Sequence, residues 1–178
     1  MHINIGNELP GIIGLFAYNP LTAKVLNDLA ETLLRDESSP LSRGERELMA
    51  AFVSQQNNCT FCYKSHKAFA AVYLGNDLVE DILVNRQFKK LSPKMSSLFF
   101  IASVVANKGA TLNENDIKAA KDDGATDKEI HDTVLISAAF CMYNRYVSGL
   151  GVANPDLTDE QYEDIARKIT TTGYNHIP

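Results

Sequence analysis

Apolar residues recur at helical spacing along most of this 178-residue chain. Between Leu21 and Arg35 they occupy positions 21, 25, 26, 29, 33 and 34, close to the i, i+3, i+4, i+7 pattern of an amphipathic helix. The same pattern predicts further helices at about 42–56, 58–74, 77–84, 92–107, 113–122, 126–149 and 158–170. Strand-like alternation is nearly absent beyond the first residues. The pattern therefore predicts an all-α bundle of about eight helices.

Local signals mark the ends of several predicted helices. The spacing of a capping box, in which two side chains satisfy free amides of the first turn, is found at the start of three predicted helices: Ser42 with Glu45, Thr126 with Glu129, and Thr158 with Gln161. Pro93 stands where the first helical residue is expected, and Gly75 and Gly124 stand where helices end.

The first 19 residues or so do not share this pattern. Pro10, Gly11 and Gly14 disfavour a helix, whereas their neighbours are mostly apolar. The sequence therefore predicts an extended arm, about 1–19, that packs against the rest of the chain. No low-complexity linker interrupts the sequence, so we expect one domain over 1–178.

Composition and charge exclude several classes of protein. Lys and Arg number 17 against 22 Asp and Glu, for a net charge of −5, which argues against a nucleic-acid partner. The longest stretch without a charged residue, Leu48–Tyr63, is shorter than a membrane-spanning helix and ends in polar side chains. No secretory signal is visible at the N-terminus, so we expect no membrane association and a cytoplasmic location, where thiols stay reduced.

The candidate chemistry lies at Cys59, Cys62 and His66. On a helix over 58–74 these residues have i, i+3 and i+7 spacing, so they share one face. Both cysteines fall in the first turn, where free amides and the helix dipole favour negative charge and lower a thiol pKa. The pattern indicates a nucleophilic sulfur with a second sulfur placed to trap it.

Zinc is the main alternative, with Cys59, Cys62 and His66 as three ligands and Glu47 or a distant His as the fourth, but no second ligand pair is present. Covalent haem would need a His at position 63, and a thioredoxin-like site would need a βαβ unit. The remaining cysteine, Cys141, lies in an apolar segment and is interpreted as a small buried hydrophobe.

The chain resembles the alkylhydroperoxidase D-like and carboxymuconolactone decarboxylase superfamily. The family pattern is Glu, eleven residues, Cys, two residues, Cys, three residues, His, and Glu47, Cys59, Cys62 and His66 match it at every position. The segments 116–130 and 140–151 resemble the peroxidase-related branch. The decarboxylase members lack the cysteine pair, so its presence argues against that branch.

The resemblance implies a helical bundle that assembles as trimers or hexamers, and thiol-dependent reduction of a small hydroperoxide without a cofactor or metal. It implies that Cys62 attacks the peroxide, that Cys59 resolves the product to an intramolecular disulfide, and that His66 and Glu47 relay protons. An external dithiol, either a protein or a small molecule, would then reduce the disulfide.

The residue between the cysteines and three residues of the long helix leave alternative interpretations. The best-studied members carry a His between the two cysteines in the proton relay, and Phe61 is found there in this chain, so the relay would be shorter. A general dithiol–disulfide oxidoreductase and a zinc-binding or scaffold oligomer therefore remain alternatives. Asn144 and Arg145 lie on the long helix and are interpreted as a buried hydrogen bond and an ion pair near its end, with a position at the border of the active-site pocket as the alternative. His131, near the start of that helix, either faces the dithiol or lies on the surface.

Overall fold

A computed structural model describes residues 1–107, 110–152 and 157–176. In these residues the chain forms nine α-helices and no β-strand: α1 Gly11–Tyr18, α2 Pro20–Arg35, α3 Arg43–Gln56, α4 Thr60–Leu74, α5 Asn76–Leu83, α6 Pro93–Ala106, α7 Glu114–Asp122, α8 Asp127–Gly149 and α9 Asp159–Thr172. Single 3₁₀ turns cover Phe88–Lys90 and Tyr174–His176. The all-α prediction is confirmed.

The predicted helix ends agree with the structure because they depend on local chemistry. The side chains of Ser42, Thr126 and Thr158 each accept a hydrogen bond from the third helical amide, and the returning bond of the capping box is present at all three. Helix α4 ends at Gly75, whose φ of 86° suits glycine.

The prediction of an extended N-terminal arm through about residue 19 is wrong for Gly11–Tyr18, which form α1. Pro10 lies outside the helix at the N-cap, and Gly11 takes a φ of 52° at its start, so neither residue interrupts the helical hydrogen bonds. A helix of 8 residues is not stable alone. Tertiary packing supplies the stability, because Leu15 and Phe16 are buried.

The antiparallel pair α3 and α4 lies at the centre of the structure. Helix α3 is buried over most of its length, α8 packs against α3 and α6, and α9 packs along α4. A main apolar core fills the space among α3, α6 and α8. A smaller buried cluster contains Cys59 and Cys62 together with Ile5, Leu15, Val147 and Tyr162.

Within the described ranges, no helix combines the length and the apolar character needed to cross a lipid bilayer.

Candidate active site

The turn between α3 and α4 places the two cysteines. Asn58 has a φ of 55°, a conformation that asparagine tolerates better than most residues, and the Cys59 amide donates to the Ser54 carbonyl at 3.0 Å. The chain therefore reverses within three residues. Cys59 occupies the N-cap position of α4, and Cys62 lies in its first turn.

The two thiols shift each other's pKa in opposite directions. The pKa of Cys59 is lowered to about 7, chiefly because the Cys62 thiol hydrogen-bonds to its sulfur, although burial opposes the shift. The pKa of Cys62 is raised well above its ordinary value, because its proton is held by that same bond and because its sulfur is buried. The two thiols therefore titrate as a coupled pair, in which Cys59 is the more acidic thiol and Cys62 donates the bond between them.

Asn144 of α8 supports the pair from a neighbouring helix. Its amide lowers the pKa of both cysteines, because it favours their charged forms. Its Nδ2 also donates to Ser54 Oγ at 3.1 Å, and its Oδ1 accepts from Asn57 Nδ2 at 3.0 Å. The bond from Asn57 fixes which end of the Asn144 amide faces the thiols. The buried-partner interpretation of Asn144 is thus correct, and its partners include the cysteines.

Glu47 and His66 meet across the α3–α4 pair. Glu47 Oε2 lies 2.7 Å from His66 Nδ1, and the Glu47 side chain is only 3% exposed. A buried carboxylate needs such a partner to offset its lost hydration. The contact assigns the Nδ1 proton to the bond with Glu47, which leaves Nε2 of a neutral His66 as a proton acceptor.

Tyr174 completes this arrangement from the C-terminal segment. Its hydroxyl donates to Glu47 Oε1 at 2.7 Å, and its backbone amide donates to Glu31 Oε2 at 2.7 Å. The preceding Gly173 has a φ of 83°, and a Cβ there would meet the Glu31 carboxylate at 2.6 Å. Burial and the negative charge of Glu47 raise the pKa of Tyr174, so the phenol stays protonated.

His66 is enclosed by aromatic rings. Phe140 and Phe69 contact it edge-on, with ring centroids 4.7 Å and 5.1 Å away, and Tyr174 stacks at 6.2 Å. These rings fix the imidazole in place, and they also form part of the wall of a small cavity.

This cavity, of about 100 Å³, is lined almost entirely by apolar side chains. Both Cys62 and His66 reach its wall, together with Phe61 and Phe69. Cys59 and Glu47 do not line it: Cys59 lies behind Cys62, and Glu47 lies behind His66. A molecule in this cavity would therefore meet the Cys62 sulfur and the His66 ring.

The structure thus brings the four residues identified from the sequence into one connected site. Three other polar residues on α4 and α8 lie away from the site. His131 is exposed beside Asp132, and Arg145 is exposed and donates to the Cys141 carbonyl. Lys67 pairs with Glu80 on the surface. The surface interpretation of His131 is therefore correct.

Sequence reasoning missed Tyr174, Asn57 and Ser54 as members of the site. Asn57 and Ser54 flank the cysteines in the chain, so proximity alone is a usable signal for them. Tyr174 has no such signal, because its bond to Glu47 spans 127 residues of sequence.

Zinc ligation was the main alternative for these residues. Among the residues that the structure describes, no three His, Cys, Asp or Glu side chains are grouped so that they could hold a metal ion.

Comparisons with known proteins bear on the fold. No protein-family model and no curated protein matches this chain. Two solved structures are similar to it, each with a TM-score of 0.75 and 24% sequence identity. One is the alkylhydroperoxidase AhpD core, an uncharacterized peroxidase-related protein from Ralstonia eutropha JMP134, matched over 89% of this chain and 82% of that chain. The other is an uncharacterized peroxidase-related protein from Silicibacter sp. TM1040, matched over 85% and 79%.

These similarities confirm the fold that the sequence resemblance implies. The chain adopts the helical fold of the alkylhydroperoxidase AhpD core and of the peroxidase-related protein.

Proposed function

We propose that this chain is a thiol-dependent peroxide reductase. The observation that carries the proposal is a buried cysteine pair beside a proton acceptor: Cys62 lines the same cavity as His66, and the pKa of Cys59 is lowered to about 7. Thiolates are the reactive form of cysteine, and the oxygen of a peroxide converts a thiolate to a sulfenic acid. The peroxidase-related names of the two structural neighbours agree with this chemistry.

Cys62 attacks first, because it is the sulfur at the cavity wall. Its proton passes to the Cys59 thiolate along the existing hydrogen bond, and the freed sulfur bonds to the terminal oxygen of the hydroperoxide. The O–O bond breaks, so sulfur loses two electrons and the rest of the peroxide leaves as an alkoxide. Cys62 is then a sulfenic acid.

Cys59 completes the reaction. His66 accepts the Cys59 proton and delivers it to the alkoxide, and Glu47 holds the ring while its charge changes. The Cys59 thiolate attacks the Cys62 sulfur, the S–S bond forms, and the oxygen leaves as hydroxide, which solvent protonates. One hydroperoxide and one dithiol thus give one alcohol, one water and one disulfide. An external dithiol, available in a reducing compartment such as the cytoplasm, restores the pair.

Stoichiometric oxidation tests this proposal. Reduced protein treated with one equivalent of an alkyl hydroperoxide should lose two free thiols and gain a disulfide between Cys59 and Cys62, detected by mass spectrometry. Cys62→Ser should abolish peroxide consumption. Cys59→Ser removes the group that accepts the Cys62 proton, so it should consume one equivalent of peroxide more slowly than wild type and stop at a sulfenic acid. The matched control is Cys141→Ser, which should behave as wild type.

Retained peroxide consumption in Cys62→Ser would overturn the assignment. A general dithiol–disulfide oxidoreductase is the second candidate, and the lowered pKa of Cys59 favours it because thiol–disulfide exchange also requires a thiolate. Oxidation of the pair by a disulfide such as oxidised glutathione, with no reaction towards peroxide, would support that candidate instead.

A further inference from the structure

Tyr162 on α9 is a buried polar residue that the reaction outlined above does not use. Its side chain is 3% exposed, and its hydroxyl has no hydrogen-bond partner in the described part of the chain. A buried hydroxyl without a partner costs free energy that phenylalanine at the same position would avoid. A partner that is present at only one stage of the reaction would account for this hydroxyl.

Tyr162 lies in the smaller buried cluster with Cys59 and Cys62. Its ring packs against Phe61, the residue between the cysteines in sequence, with centroids 6.4 Å apart. The Lys64 ammonium lies 5.6 Å from the ring centroid and makes a cation–π contact with the ring. Burial raises the pKa of Tyr162, and negative charge on Cys62 or Asp159 raises it further when present, so the phenol stays protonated.

We propose that the Tyr162 hydroxyl is a catalytic hydrogen-bond donor to the oxygen atom that Cys62 takes from the peroxide. This inference rests on the proposed function. The resting site lacks that oxygen, so the hydroxyl is unpartnered until the sulfenic acid forms. A donor fixed in a buried site stabilises a developing oxyanion without reorganisation.

The donor acts mainly in the resolving step. When Cys59 attacks the Cys62 sulfur, the S–O bond breaks and its electron pair leaves with the oxygen as hydroxide. The bond from Tyr162 strengthens as that charge develops, and the phenol keeps its own proton throughout. Tyr174 has a different task, because its hydroxyl is already committed to Glu47.

The test is Tyr162→Phe, which removes only the hydroxyl. We expect disulfide formation after peroxide addition to slow by roughly tenfold or more, as expected for a lost hydrogen bond to a charged group. The Cys62 sulfenic acid should then accumulate, and trapping with dimedone should label more protein than in wild type. The thermal unfolding midpoint should be unchanged or higher, because an unpartnered hydroxyl is removed.

Tyr146→Phe is the matched control, because Tyr146 is partly buried against the same cluster. We expect this variant to keep the wild-type rate and the wild-type dimedone labelling. Equal rates and equal labelling in Tyr162→Phe and wild type would overturn the role of Tyr162. A lowered unfolding midpoint in Tyr162→Phe would also overturn it, since the hydroxyl would then be structural.

Failure of this inference can be told apart from failure of the proposed function. If wild-type protein loses no thiols with peroxide, the proposed function fails. If wild type and Tyr162→Phe both lose two thiols at the same rate, the proposed function stands and the role of Tyr162 does not.

Discussion

Two cysteines separated by two residues have opposite acid–base behaviour in this structure. Cys59 occupies the N-cap position of α4 and accepts the bond from the Cys62 thiol, which lowers its pKa, whereas Cys62 is the donor and its pKa is raised. The helix N-terminus favours a thiolate at either position. Which of the two cysteines ionises more easily depends on which thiol donates the bond that joins them. The spacing of a CxxC motif does not specify that direction.

The first prediction concerns this bond. In a Cys141→Ala background, which leaves only the pair, the thiolate signal in ultraviolet absorbance should rise with pH through about 7. The sign follows from the lowered pKa: Cys59 is a thiol below that pH and a thiolate above it, and an ordinary cysteine ionises near pH 8.5. Adding Cys62→Ala removes the largest cause of the shift, so the midpoint should move up by about one unit or more.

Cys62→Ser is the useful companion variant, because its hydroxyl can still donate to Cys59. Its midpoint should lie between those of the parent and Cys62→Ala. If Cys62→Ala still titrates near pH 7, Asn144 and the helix N-terminus govern the pKa, and the proton exchange proposed for the pair has no basis.

The glycines that end two helices determine where the residues that follow them are placed. Gly75 ends α4 and Gly173 ends α9, with φ of 86° and 83°. A Cβ at Gly75 would meet no atom within 4 Å, whereas a Cβ at Gly173 would meet the Glu31 carboxylate at 2.6 Å. The two positions therefore have the same backbone requirement and differ in their surroundings. Tyr174 follows directly after Gly173, so displacement there reaches Glu47.

The second prediction uses this difference. Gly75→Ala should cost only the backbone strain, about 1–2 kcal/mol of unfolding free energy in denaturant titration, and leave peroxide-driven thiol loss unchanged. Gly173→Ala should cost about 1–3 kcal/mol more, because Tyr174 loses its bonds to Glu31 and Glu47. It should also slow thiol loss several-fold. Equal rates in the two variants would show that Tyr174 is not needed to hold Glu47 and His66.

The parts of the molecule that could be predicted from sequence are those fixed by local chemistry. The ends of α3, α8 and α9 follow from side-chain caps, and the face shared by Cys62 and His66 follows from helical spacing. The link between Glu47 and His66 came from the family resemblance. Tyr174, Tyr162 and α1 could not be predicted, because each depends on packing between distant segments.

Segments near both ends of the described chain contact the site. The C-terminal segment reaches Glu47 through Tyr174, and α1 from the N-terminal region packs on Phe61 and the cysteine cluster. Gly11 makes the second contact possible: its φ is 52°, and a Cβ there would lie 2.2 Å from the Phe61 ring. Burial of Cys59 and Cys62 thus depends on a helix more than forty residues earlier in the chain.

The last prediction follows from that dependence. Gly11→Ala should push α1 away from Phe61, so a bulky maleimide at fixed pH should label Cys59 and Cys62 several-fold faster than in wild type. Gly6→Ala is the matched control, since Gly6 also has a positive φ, of 68°, but a Cβ there meets nothing within 4 Å. Its labelling rate should be that of wild type. If Gly11→Ala lowers stability and leaves labelling unchanged, α1 is not what covers the dithiol, and access to the sulfurs is controlled from the α9 side.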